Sequence, residues 1–195
     1  MDMILRTIRG QAMDILSSMA TIAGYKAVLD AAMKLPNFFP MFMTAAGTIR
    51  PAKVLILGAG VAGLQAIATS RKLGAVVEVF DVRSAVKEQV ESLGGKFVEV
   101  EGAKEDEAAG GNCELTENNK TVVKEGVTLV GKSNYPSDMP NDASRMYGNN
   151  LVNFLKLLID NEGGLKLDFE DEIVKGTCMI NEKKIMSDWL KKFYG

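Results

Sequence analysis

The feature that most restricts how this chain can fold is a glycine-rich turn set between a short apolar run and a helical pattern. Lys53–Leu57 (KVLIL) is nearly continuously apolar, as in a parallel strand buried on both faces, and it stops at Gly58. Residues 61–73 then read as a helix, Val76–Phe80 (VVEVF) as a second strand, 84–93 as a second helix and 96–100 as a third strand. That order is one mononucleotide-binding half of a doubly wound parallel sheet. GAGVAG, with Gly58, Gly60 and Gly63, lies between the first strand and first helix, and Asp81 closes the second strand 18 residues after Gly63. Alone, GAGVAG fits any tight strand-to-helix turn. In this context each glycine acquires its own role, with Gly58 for the turn, Gly60 for close approach of backbone to a pyrophosphate, and Gly63 for close packing of helix on strand.

The helix N-terminus, with Val61 and Ala62, would offer backbone N–H groups and a partial positive charge to the phosphates. Asp81 is placed to accept hydrogen bonds from the adenosine ribose, and Val82 and Arg83 follow it on the same rim. Its negative charge would repel a 2′-phosphate, so the motif favours NAD(H) over NADP(H).

Composition narrows the chemistry. Among 195 residues there is no histidine, which removes the commonest general acid/base and metal ligand together. With 23 basic and 25 acidic residues, no strong field exists to gather nucleic acid. Cys113 and Cys178 stand far apart, matching neither a zinc site nor a disulfide framework. The most apolar stretch, residues 38–46, is far shorter than the ~20 residues of a membrane span and holds Pro40. The N-terminus fails as a secretory signal, so a soluble chain of the cytoplasm or mitochondrial matrix is expected.

Residues 11–35 are expected to form one long helix, ended by Pro36, and 37–51 an irregular, partly buried connector. Residues 101–120 read as an acidic, glycine-rich loop, 127–130 as a strand, and 143–159 as a helix with Leu151, Phe154, Leu155 and Leu158 on one face. A hairpin over 165–180 and a short amphipathic tail follow. The expected architecture is α/β: a truncated Rossmann-like doubly wound parallel sheet, with a long N-terminal helix and a C-terminal helix plus hairpin. Its segments are 1–50, 51–160 and 161–195.

The segment RPAKVLILGAGVAGLQAIATSRKLGAVVEVFDVRSAVKEQVESLGGKFVEVE closely resembles the NAD-binding segment of the proton-translocating NAD(P) transhydrogenase α subunits, in the superfamily shared with alanine dehydrogenases. Upstream, RTIRGQAMDILSSMATIAGYKAVLDAA is similar to the family segment that reaches over the nicotinamide ring. Downstream, 111–160 resembles the end of the same domain. The resemblance implies that Arg6, Gln11, Asp14 and Ser17 hold the nicotinamide and its ribose. Spacing by three would put Gln11, Asp14 and Ser17 along one helical side.

Two departures accompany the likeness. The family's N-terminal subdomain is expected to be absent, and after Ala109-Gly110 the chain passes straight to Gly111-Asn112-Cys113, where the family has its fourth and fifth strands. Val127–Val130 would then have to move in beside Lys53–Leu57, because a bare strand edge within an apolar layer is costly.

Functionally, the resemblance implies an NAD(H)-binding component that passes a hydride to NADP(H) held on a partner domain, with proton translocation in a membrane subunit. Such transfer needs positioning rather than an acid/base pair, so lacking histidine is no obstacle, though it counts against the alanine dehydrogenase branch. The alternative is a non-catalytic NAD-binding or subunit-interaction remnant. A homodimer is expected through the alternating apolar face of the 165–180 hairpin.

Overall fold

The computed structural model describes residues 4, 7–99, 113–187 and 190–192. The chain divides into two compact units, Ala20–Met139 and Met1–Met19 with Pro140–Gly195. None of the described helices is long and apolar enough to cross a membrane.

In the unit Ala20–Met139, most of helix α1 (Ile15–Lys34) is followed by the hairpin β1 (Phe42–Thr44) and β2 (Gly47–Ile49). Then come β3 (Lys53–Leu57), α2 (Val61–Lys72), β4 (Val76–Phe80), α3 (Lys87–Ser92) and β5 (Lys96–Val98). The three last strands form a parallel sheet ordered β3-β4-β5, with Val54 opposite Val77 and Val79 opposite Phe97. Alternation along the strands sends Val54, Ile56, Val77 and Val79 to one face, where they pack with Ile67 of α2 and Val90 of α3. Gly95 sits under this core: an added Cβ would lie 3.1–3.3 Å from Val90, Val79 and Ile67.

The expectation of a strand covered on both faces is corrected here. β3 is half-buried only at alternate positions, and Leu55 and Leu57 are 60% and 51% exposed. A continuous apolar run does not distinguish a doubly covered strand from one whose second cover is lacking.

The expected partner of β3 is a second correction. Val127–Val130 is β7, and it pairs antiparallel with β6 (Thr121–Lys124), while β3 keeps β4 as its only strand partner among the described residues. The cause is local: Glu125 at φ 51 and Gly126 at φ 80 give the two-residue turn with both φ positive that suits a hairpin. Closing so short a loop is entropically cheaper than carrying β7 across to β3. Within the expected acidic loop, residues 100–112 lie outside the described residues.

The connector expected to be irregular holds the β1–β2 hairpin, every residue of which is exposed. Phe39, 8% exposed, anchors it to the core, and its carbonyl accepts the Ala52 N–H at 3.0 Å.

α1 approaches the start of α2 backbone to backbone. A Cβ on Gly24 would stand 2.1 Å from the Ala62 carbonyl oxygen. Further along α1, Asp30 takes hydrogen bonds from Lys34 at 2.7 Å and from the Tyr135 hydroxyl at 3.2 Å.

The other unit begins with a 3-10 turn, Gly10–Met13, and holds the first residues of α1, then α4 (Pro140–Leu158), α5 (Glu172–Thr177), β8 (Ile180–Asn181) and β9 (Lys184–Ile185). Ile4, Met13 and Ile173 are buried together with Phe154 and Leu157 packed on them. Asn150 donates to the Ala12 carbonyl at 2.9 Å, and Arg9 pairs with Asp171 at 2.6 Å. Leu155, expected on the packed face of α4, is 47% exposed, and Leu157 takes its place.

The single helix expected over 11–35 is interrupted at Asp14, whose ψ of 96° is extended. The C-terminal hairpin exists but lies at Ile180–Ile185 rather than over 165–180. Only an isolated bridge, Ile159 to Leu165, remains of the expected pairing. Asp171 redirects the segment by capping α5, its Oδ1 accepting the N–H of Ile173 at 2.8 Å and of Val174 at 3.4 Å. Leu165 is 75% exposed, and the alternating apolar strand face expected to make a dimer contact does not form. Of the expected amphipathic tail, Asp188, Trp189 and 193–195 lie outside the described residues.

Two glycines in helices should respond oppositely to alanine. Gly24→Ala forces its methyl into a backbone carbonyl and should destabilise the chain by roughly 1–3 kcal/mol despite better helix propensity. Gly148→Ala in α4 meets nothing within 4 Å and should stabilise it by about 0.5–1 kcal/mol. Urea denaturation of the two variants, with equal midpoints or the reverse order as the contrary result, decides the point.

Candidate nucleotide-binding site

The three glycines of the turn lack side chains for three different physical reasons. Gly58 has φ +98, a conformation costly for any residue with a Cβ. Gly63 presses α2 on the turn: its Cβ would come 1.9 Å from the Gly58 carbonyl oxygen. Gly60 differs, since its φ −74 and ψ −172 are ordinary extended values and an added Cβ would have nothing within 4 Å. Neither the backbone nor the packing of the chain requires glycine at 60. A ligand lying against that backbone would.

Gly60 is also the N-cap of α2, and its carbonyl accepts the Leu64 N–H at 2.8 Å. No side chain caps this helix and no acidic residue stands in its first turn, so its first N–H groups, at Val61 and Ala62, keep their capacity to bind an anion. Val61 is 42% exposed.

Asp81 lies at the carboxyl end of β4, beside the turn that leaves β3. One of its oxygens, Oδ2, accepts the Ala59 N–H at 2.7 Å and Nη2 of Arg83 at 3.0 Å. The other, Oδ1, accepts the Arg83 backbone N–H at 2.8 Å and Nε at 3.0 Å. The Arg83 guanidinium, helped by the backbone donors at Ala59 and Arg83, holds the carboxyl down to about 2 although burial opposes this. Asp81 is therefore a buried, ionised anchor joining the ends of two neighbouring strands. Val82 is 42% exposed, and the Arg83 side chain is half exposed.

Gly58, Gly60, Val61, Ala62, Gly63, Asp81, Val82 and Arg83 thus stand together at one end of the parallel sheet. Gln11, Asp14 and Ser17 belong to the other unit, and Arg6 lies outside the described residues. The expected single helical side for these three does not form, because Asp14 breaks the helix between them. Asp14 instead caps α1: Oδ1 accepts the Ser17 N–H at 3.1 Å and Oδ2 the Ser17 hydroxyl at 2.6 Å. Gln11 is exposed in the preceding 3-10 turn.

Two contributors were not singled out from the sequence. The Ala59 N–H, donating to Asp81, gives no side-chain signal. Gly24 fixes how near α1 comes to Ala62, and its place in an alanine-rich helix conceals that role.

The family model described as "Alanine dehydrogenase/PNT, C-terminal domain" matches residues 27–109 and 106–188. The chain is 40% identical to the first of the separately encoded pieces of the NAD(P) transhydrogenase alpha subunit of Rhodospirillum rubrum, over 95% of this chain and 66% of that one. It is 36% identical to "NAD(P) transhydrogenase subunit alpha" of Haemophilus influenzae, over 93% of this chain and 49% of the other. The chain therefore spans between half and two thirds of the length of these relatives. The crystal structure of transhydrogenase from Sinorhizobium meliloti superposes with a TM-score of 0.83 at 38% identity, covering 94% of this chain and 66% of that one. An L-alanine dehydrogenase structure shares the fold, with a TM-score of 0.66 at 19% identity over 92% of this chain and 64% of that one.

The Rhodospirillum alignment runs over 254 positions against 195 residues here, so at least 59 positions have no counterpart in this chain. The family match breaks at 106–109, beside Ala109-Gly110. An internal piece of the family domain is missing, as the sequence implied. On the family match, the identities and the shared fold together, this chain belongs to the alanine dehydrogenase/PNT family, among the NAD(P) transhydrogenase α subunits.

Proposed function

We propose that this chain is an NAD(H)-binding component of a proton-translocating transhydrogenase, shortened so that it holds the adenosine and pyrophosphate end of the cofactor better than the nicotinamide end. The carrying observation is Gly60, a glycine that nothing within the chain demands, placed at the uncapped N-terminus of α2. That open backbone, the N–H groups of Val61 and Ala62, and the ionised Asp81 on the neighbouring strand fit a pyrophosphate joined to a ribose. Asp81 would take the ribose hydroxyls by exchanging the Arg83 guanidinium for them. Its charge disfavours a 2′-phosphate, which supports NAD(H) here and NADP(H) on a partner domain.

Family resemblance assigns Arg6, Gln11, Asp14 and Ser17 to the nicotinamide side. Bound NAD(H) supplies the hydride donor or acceptor, and the chain contributes orientation. Donor and acceptor must meet within roughly 3–3.5 Å, and small misplacements can cost ~100-fold in rate. The residues missing after 106–109 remove some of that positioning, so binding should outlast turnover. The partners this reading implies are the NADP-binding and membrane subunits, which would keep the chain at the membrane periphery in the cytoplasm or mitochondrial matrix.

Three substitutions separate binding from folding. Gly60→Val should lower NADH affinity at least tenfold in a fluorescence titration and shift the unfolding free energy by no more than about 0.5 kcal/mol, since its side chain enters open space. Equal NADH affinity in Gly60→Val and the parent chain would remove the carrying observation. Gly63→Ala should damage both properties, because its methyl meets the Gly58 carbonyl.

Asp81→Asn should weaken NADH and also cost up to about 2 kcal/mol of stability at pH 7, the equivalent of a carboxyl lowered from 3.8 to about 2. A folded-state value below the unfolded one stabilises the chain above the unfolded value. That contribution declines below pH 4 and is lost as the pH falls through about 2. Chemical denaturation of the two proteins from pH 7 to pH 2 should show their difference shrinking, and a constant difference would contradict it.

Mixed with an NADP-binding partner domain, the unaltered chain should bind NADH saturably yet turn over below a hundredth of the rate of a full-length relative. Absent saturable binding, the non-catalytic remnant is the correct reading.

A further inference from the structure

The open edge of β3 has a defined geometry. The Val76 N–H bonds to the Ala52 carbonyl, and the Gly58 N–H to that of Phe80, which brackets the β3–β4 ladder. In a parallel ladder the residues between these alternate, so the backbone groups of Lys53 and Leu55 face away from β4. No strand among the described residues pairs with that side. On the sheet face opposite α2 and α3, Leu55 is 60%, Leu57 51% and Val76 39% exposed. An edge strand of this kind, with apolar side chains and unmatched backbone groups, is a template for strand addition.

What belongs there is indicated by the family alignment. The positions lacking a counterpart fall after β5, where the match breaks at 106–109. In a doubly wound sheet ordered 3-2-1-4-5-6, the chain after the third strand crosses back to pair with the first, and the second half places its helices on the face that the first half leaves bare. Here the first strand is β3 and the bare face is that of Leu55 and Val76. The open edge, the bare apolar face and the break in the alignment are therefore three consequences of one omission.

We infer that the β3 edge and the Leu55–Val76 face form a docking surface for a separate polypeptide carrying the family's fourth strand and its following helix, which would complete the sheet in trans. The strand adds parallel to β3, using the backbone groups of Lys53 and Leu55, and the helix covers Leu55, Leu57 and Val76. The inference rests on the fold and the alignment. Only its consequence, a restored wall for the nicotinamide end, depends on the cofactor reading.

The test joins the Rhodospirillum residues that span the gap to a soluble carrier and coexpresses them with the full chain. Sedimentation should show a one-to-one complex, and Leu55→Lys should weaken it tenfold or more, whereas Val123→Lys on the exposed face of β6 should leave it unchanged. NADH is titrated separately into the same samples. A folded chain that binds NADH but not the segment overturns this inference and leaves the cofactor reading standing. Association without NADH binding does the opposite. If the chain alone dimerises and Leu55→Lys abolishes the dimer, the occupant is a second copy and the inference is equally wrong.

Discussion

The ionised carboxylate of Asp81 is the constraint on which the nucleotide-binding end depends. It fastens the peptide after Gly58 to the end of β4, so the exit from β3, the start of α2 and the following strand keep one geometry. A neutral residue could not attract the Arg83 guanidinium, and a longer carboxylate would not reach the Ala59 N–H at the same strand separation. The turn is thus held from both sides: by the Asp81–Ala59 bond, and by the closeness of Gly63 to the Gly58 carbonyl. Burial of such a charge is tolerable because four donors surround it.

The first mononucleotide half was legible because each of its elements carries its own local signal. Lys53–Leu57 and Val76–Phe80 occur as strands with the limits read from the sequence, and α2 ends within a residue of expectation. Short parallel strands next to periodic helices leave few alternatives, and the glycine spacing fixes the junction. Beyond β5 the reading weakened for identifiable reasons. Glu125-Gly126 is a poorer turn signal than Asn-Gly, so β6 went unseen and β7 was assigned a distant partner. At 165–180, alternation of apolar and polar residues suggested strand, but the capping carboxylate of Asp171 outweighed it.

The candidate site divides along the same line. Its pyrophosphate and ribose residues follow from a motif whose spacing is dictated by backbone geometry, and they stand together. Gln11, Asp14 and Ser17 were placed by resemblance and by a helical spacing that the break at Asp14 removes. A carboxylate three residues before a serine has two uses, as a ligand group and as a helix cap. In this structure Asp14 serves as the cap, holding both the Ser17 N–H and its hydroxyl.

The separate reasons for the glycines at 58, 60 and 63 also bear on how such a chain would drift over generations. Positions 58 and 63 are guarded by folding itself, since a side chain at either strains the turn or collides with it. Position 60 has no such guard. In a lineage that had ceased to use a dinucleotide, mutation could fill position 60 without penalty to the folded state, while its two neighbours stayed fixed. Among descendants of this gene, the residue at 60 is therefore a gauge of purifying selection on binding, independent of selection on the fold.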